Sequence, residues 1–301
     1  MKKVLFATTA LVATASVAAA DVTFSGYARF GVLYNDEGQL NANGTTDSST
    51  DVTSRLRFQV DMTAESDAGV TFGARTRFQT AEGDGDTGMN GIRFFARSGG
   101  LEVGVGNIFG ALESMTGQYT IDLGLTGLGY DYTVYNFRAD AYSSGGAGDS
   151  GDNGVEVIYS FAGFGVHVSA SDTDDRIAAA FDYSIGGFEV GVGLQDSDNA
   201  RDTEWVLAAE GDVGFATIGA AYARNGDDDG VNGDHYALMA RFDVGAATDV
   251  EVFVADADYF VDTAYGIDFN HDMGGGTSLR GGVAKRGAGN TIADLGVRFN
   301  F

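Results

Sequence analysis

Arg29, Arg55, Arg57, Arg75, Arg77, Arg93 and Arg97 all fall in the first third of a 301-residue chain. Nearly all sit at one phase of a two-residue alternation. Glu113, Asp122, Asp131 and Asp140 follow, in a stretch, 107–153, that carries a single arginine, Arg138. Such rows of opposite charge make and break no bonds. Facing each other across a narrow, water-filled passage, they set up a transverse field, because low-dielectric walls weaken screening. Small polar solutes reorient along that field, and apolar ones do not. The arginines also need counter-charge, since like charges crowded in a strand ladder repel. The acidic stretch is expected to supply it and to be held inward by it.

Bond-making chemistry has weaker support. His167 alternates with Val166 and Val168 and so faces away from the apolar side, His235 begins a strand beside a loop, and His271 ends one. A lipid-facing hydrolase needs a Ser and His with an orienting partner, and His167 points the wrong way. No two histidines have transition-metal spacing. No catalytic residue and no resident cofactor are expected. Asn225, Asp227, Asp229 and Gly230 begin like a calcium loop, but its twelfth position is Tyr236 rather than Glu. Loose calcium binding at Asp227 and Asp229 is the most this segment supports.

Positioning the charges takes strands. Val22, Phe24, Gly26, Ala28, Phe30 and Val32 alternate with Thr23, Ser25, Tyr27, Arg29 and Gly31. Val52, Ser54, Leu56, Phe58, Val60 and Met62 alternate with Asp51, Thr53, Arg55, Arg57, Gln59 and Asp61. The same period of two continues to the C-terminus, where Ala293, Leu295, Val297, Phe299 and Phe301 oppose Asp294, Gly296, Arg298 and Asn300. A soluble sandwich also alternates. Turn lengths discriminate: 65–68 and 98–100 are tight, whereas 36–49 and 81–89 are long, polar and rich in Gly and Asp, the rhythm of a membrane barrel. Tyr34, Tyr159, Phe161, Phe164, Tyr183, Phe188, Trp205 and Tyr259 are candidates for its aromatic girdles.

Residues 107–153 are roughly three times longer than the ~15 loop residues a compact domain tolerates without a functional reason. They predict a loop folded into the lumen. Within it, 132–142 has strand propensity, which would make seventeen strands. Bacterial single-chain barrels have an even number, so the segment is assigned to the loop. The expected fold is all-β, a sixteen-stranded antiparallel transmembrane barrel.

The first twenty residues carry two lysines, an apolar middle and small residues up to Ala20, which predicts a cleaved signal peptide (1–20) and a barrel domain at 21–301. No other apolar stretch approaches the ~20 residues of a spanning helix. Cysteine and proline are absent, so stability must come from unbroken ladders rather than disulfides. With 43 acidic against 18 basic residues the net charge is −25, which argues against nucleic acid as a partner.

The opening DVTFSGYARFGVLYN, the segment GNIFGALESMTG and the close IADLGVRFNF resemble the first strand, the third loop and the last strand of general porins of the Rhodobacter type. That resemblance implies a homotrimer in the outer membrane of a Gram-negative bacterium, in contact with lipid and lipopolysaccharide. It also implies passive passage of ions and small hydrophilic solutes. By position it places Arg29, Arg55, Arg57, Arg75 and Arg77 on a basic wall opposite Glu113 and Asp122. Two rivals stay open. One is a substrate-selective channel, for which Tyr119, Tyr130, Tyr132 and Tyr135 would form a slide; the other is a non-conducting structural or adhesin barrel.

Overall fold

The computed structural model describes residues 20–37, 49–82, 88–145, 150–226 and 231–301. The expected signal peptide up to residue 19, the calcium positions Asp227 and Asp229, and the tips of three long loops lie outside them. The first strand segments are β1 (Ala20–Asn35), β2 (Thr50–Glu65), β3 (Thr71–Ala81), β4 (Gly88–Met89), β5 (Arg93–Ser98) and β6 (Leu101–Asn107). After the long loop come β7 (Asn153–Phe161), β8 (Phe164–Ser171), β9 (Ile177–Ile185), β10 (Phe188–Asp196), β11 (Glu204–Asp212) and β12 (Ala216–Gly226). The last are β13 (Asn232–Gly245), β14 (Thr248–Ala257), β15 (Ala264–Gly274), β16 (Thr277–Lys285) and β17 (Thr291–Asn300).

Consecutive segments pair antiparallel, except that β4 and β5 both pair with β3, and β17 returns to pair with β1, with Arg298 opposite Arg29. The sheet is therefore a closed barrel with no free edge. Its strand number is sixteen, because β4 and β5 share one place in the wall. Both pair with β3, Met89 opposite Phe78 and Arg93 opposite Arg75. Four steps on one side face three on the other, a β-bulge. Asn90 repairs the ladder there: its N–H donates to Arg77 O (3.0 Å) and its Oδ1 accepts from Arg77 N (2.7 Å).

The alternation is realised as a wet inside and an apolar outside. Phe24, Phe30, Phe72, Phe94, Val155, Phe164, Ile177 and Leu238 are exposed, and Phe161 reaches 67%. Burying none of these makes sense only against hydrocarbon. The aromatic turns FAGF and YSIGGF are built alike, with φ of 50° and 85° at Ala162–Gly163 and 60° and 86° at Gly186–Gly187. Two consecutive left-handed residues match the strand twist of a two-residue hairpin. Phe164 stacks on Tyr183 (4.3 Å) and Trp205 packs on Tyr222 (5.1 Å) at opposite rims. Tyr259 departs from the expected girdle and hydrogen-bonds His235 Nδ1 at 2.7 Å. Among the described residues no helix is long and apolar enough to cross a membrane.

The packed core lies inside the barrel. Leu112, Ile121, Leu123, Leu128, Val134 and Phe137 of the long loop pack against wall residues such as Ala180, Val206, Ala237 and Phe253. Residues 132–142 join no ladder. Side chains satisfy the backbone instead: Asn225 Oδ1 accepts from the N–H groups of Asn136 (2.8 Å) and Phe137 (3.0 Å), and Asn225 Nδ2 donates to Val134 O (3.2 Å).

Candidate functional site

The register across the seam places Arg55, Arg29 and Arg298 side by side on three neighbouring strands, with Arg57 two residues along, opposite Tyr27. Their side chains and those of Glu113, Asp122, Tyr119, Tyr130 and Ile121 line one continuous space between wall and loop. The structure therefore brings three of the expected arginines to two of the expected loop carboxylates. The hydrogen bonds of Arg29, Arg55 and Arg57 go to uncharged groups. Arg29 donates to Leu125 O (2.6 Å), Arg55 to the Tyr27 hydroxyl (3.4 Å) and Arg57 to Gln79 Oε1 (2.7 Å). Arg57 and Arg298 also cover the Tyr27 ring, at 5.4 and 4.4 Å.

The two loop carboxylates are held differently. Asp122 reaches Arg280 (2.7 Å) and Arg298 (3.1 Å), neither of them among the expected site arginines. Glu113 accepts from the hydroxyls of Tyr119 (2.9 Å) and Tyr135. Burial, then Glu113, pushes the Tyr119 hydroxyl above its usual value, and burial does the same to Tyr135. Both phenols therefore stay neutral and keep donating.

The remaining expected residues lie elsewhere. Arg75 pairs with Asp61 on the adjacent strand (2.6 Å), and Arg77 donates to Gln59 (2.8 Å) and to the loop's Ser144 (2.9 Å). Arg93 is buried between Glu156 (2.5 Å) and Glu102 (2.6 Å), and Arg97 is exposed beside the short turn, over the Phe95 ring (5.4 Å). Asp131 is paired with Arg286 (3.0 Å). Asp140, 2% exposed, is paired with Arg176 (3.1 Å), and burial pushes its carboxyl up despite Ser171 and Arg176. Of the four tyrosines proposed for a slide, Tyr119 and Tyr130 open on the space, while Tyr132 (0% exposed) and Tyr135 are core.

What holds the loop inward goes beyond the expected pairing of loop carboxylates with wall arginines. Wall arginines hold it through Asp122, Asp131 and Asp140 and through the carbonyls of Leu125, Thr120 and Gly129, and wall carboxylates accept its backbone N–H groups. Glu156 accepts from Phe109 (3.0 Å), Asp182 from Thr116 (3.0 Å), Glu251 from Asp122 (2.9 Å) and Asp268 from Gly124. Asp294 accepts from Leu125 (3.0 Å) and from both the N–H and hydroxyl of Thr126 (2.8 and 2.7 Å). Inward phase on the later strands was the available signal for these carboxylates. Among the described residues no group of three or more ligating side chains is arranged for a metal ion.

Known proteins share this architecture. Residues 7–290 match the family model for Gram-negative porins. The porin of Fuscovulum blasticum is 32% identical and that of Rhodobacter capsulatus 28%, each match spanning 93% of this chain and all of the relative. A solved triple mutant of Rhodopseudomonas blastica porin superposes with a TM-score of 0.81 at 27% identity, over 93% of this chain and all of that one. With strands, closure, inward loop and whole-length likeness in agreement, this chain belongs to the Gram-negative porin family, as an outer-membrane channel for passive diffusion of ions and small hydrophilic solutes.

Proposed function

We propose that the loop between β6 and β7 sets the narrowest point of the channel, with Arg29, Arg55, Arg57 and Arg298 facing Glu113 and Asp122 across it. The observation that carries this reading is the single space those six side chains line. Four guanidinium groups against two carboxylates leave that space net positive, in a chain of net charge −25. The constriction therefore favours anions, and its transverse field selects for polar solutes. Asp131 and Asp140, with Arg75, Arg77 and Arg93, serve to hold loop and wall rather than to meet the solute.

The channel does no bond-making chemistry; the solute gradient drives passage. Export follows cleavage of the 1–20 leader. The apolar belt faces lipid and lipopolysaccharide, and three copies pack through the outward face near Gly26 and Ala28. The test is single-channel recording of detergent-purified protein in planar bilayers, with reversal potential in a salt gradient. Large ohmic steps closing in threes are expected, and Asp122→Asn should shift the reversal potential further toward anions. An unshifted potential in that variant would remove Asp122 from the constriction; absence of any current from inserted, folded protein would overturn the channel reading.

A further inference from the structure

Tyr130 is held in a backbone conformation that side-chain-bearing residues seldom adopt, with φ of 57°. Non-glycine residues are disfavoured in the left-handed region and persist where the surroundings over-determine them. Here the surroundings are specific. Tyr130 N donates to Gly127 O (3.0 Å), and its ring lies so close on Gly127 that a Cβ there would come within 2.1 Å of it. Tyr132 braces the ring from another side at 5.8 Å. The result of that strain is a ring that remains 43% exposed, inside the passage.

Tyr119 stands on the same space with 44% of its surface exposed, its hydroxyl locked between Glu113 (2.9 Å) and Tyr135 (2.8 Å). Neither ring needs exposure for packing, since the same loop buries Tyr132 and Tyr135. Across the space stand Arg29, Arg55 and Arg57, half-buried and hydrogen-bonded to uncharged groups. Fixed aromatic faces bind flat rings by offset or edge-on stacking. Planar guanidinium groups bind carboxylates in fork geometry.

We propose that the constriction contains a recognition site for ring-bearing carboxylates, with Tyr130 and Tyr119 as the shelf for the ring and Arg55 and Arg29 as the receptors for the carboxylate. It deepens the channel reading, on which it rests: a bare inorganic anion meets only the arginines, whereas an aromatic monocarboxylate engages both sides and dwells. Such a solute blocks small-ion current while it sits there.

The test is channel block in planar bilayers by benzoate, cyclohexanecarboxylate and acetate at matched ionic strength and neutral pH. Benzoate is expected to block at the lowest concentration, acetate at the highest. Tyr130→Asn removes the ring while keeping a residue that tolerates the left-handed backbone. It should raise the half-blocking concentration of benzoate by about two- to tenfold, the range expected for one lost aromatic contact. Arg55→Gln should weaken block by all three carboxylates. Open-channel steps in each variant report a folded barrel, and the benzoate-to-acetate ratio in the parent protein needs no variant at all. Equal block by benzoate and acetate in the parent, or benzoate block unchanged by Tyr130→Asn, overturns the site while leaving the diffusion channel intact. No current from any inserted form overturns the channel reading and the site with it.

Discussion

Arg93 is among the largest fully buried side chains of the described residues. Its guanidinium sits between Glu156 and Glu102 and lies 3.9 Å from the Phe109 ring centroid, at the point where the chain leaves the wall. Glu156 also meets His167 Nε2 (2.9 Å) and the N–H of Phe109, so a single carboxylate joins the wall, the loop start and two basic groups. Removing one partner of such a buried set leaves an uncompensated charge and costs about 3–5 kcal/mol. Arg93→Met keeps most of the apolar stem and removes the charge. It should lower the thermal transition of the detergent-solubilised barrel by an amount corresponding to that range, with no comparable loss for Arg97→Met, whose side chain is exposed. Equal transitions for the two variants would show that the Arg93 cluster is neutral in stability.

At the scale of elements, the loop is positioned by acceptors on the wall. Asp294 alone takes two backbone N–H groups and a hydroxyl from Leu125 and Thr126, next to the Leu125 carbonyl that receives Arg29. Asp294→Ala strands those donors, at about 1–3 kcal/mol for each buried group left unmade. Noisier open-channel current and a larger mean conductance are expected, with the barrel still folded; a quiet, parent-like channel would mean that Asp268 and Glu251 hold the loop without it. This network also marks the limit of what the sequence reveals. Period-two alternation specifies which face each residue takes, so the strands, the inward arginines and the inserted loop were legible. Register across the closing seam was not, because nothing local in β17 says that Arg298 will stand beside Arg29. Nor does alternation report depth, which is why Asp140 and Asp131 read like Asp122 although Arg176 and Arg286 draw them into the wall. The bulge between β4 and β5 was hidden for a related reason: its repair is a side chain, Asn90, bonding as a backbone would.

For the molecule as a whole, two fields of opposite sign lie in series along the passage. Asp196, Asp202, Asp258 and Asp262 follow the strands at the long-loop end and stand exposed there, part of the acidic excess that gives the chain its −25. The space between wall and loop, the proposed constriction, is lined by four arginines against two carboxylates. The exposed mouth is screened by salt, with a Debye length of about 10 Å at 0.1 M and about 3 Å at 1 M, whereas charges enclosed by low-dielectric walls are screened much less. In dilute salt the mouth enriches cations and offsets the preference of the constriction. In concentrated salt the mouth falls silent and the arginines decide. The cation-to-anion permeability ratio should therefore fall as salt is raised, and Asp122→Asn should lower it further, most visibly at high salt. A ratio that is constant with salt would place the selectivity at the constriction alone, and one that rises would put the dominant charge on the loop carboxylates rather than on the arginine row.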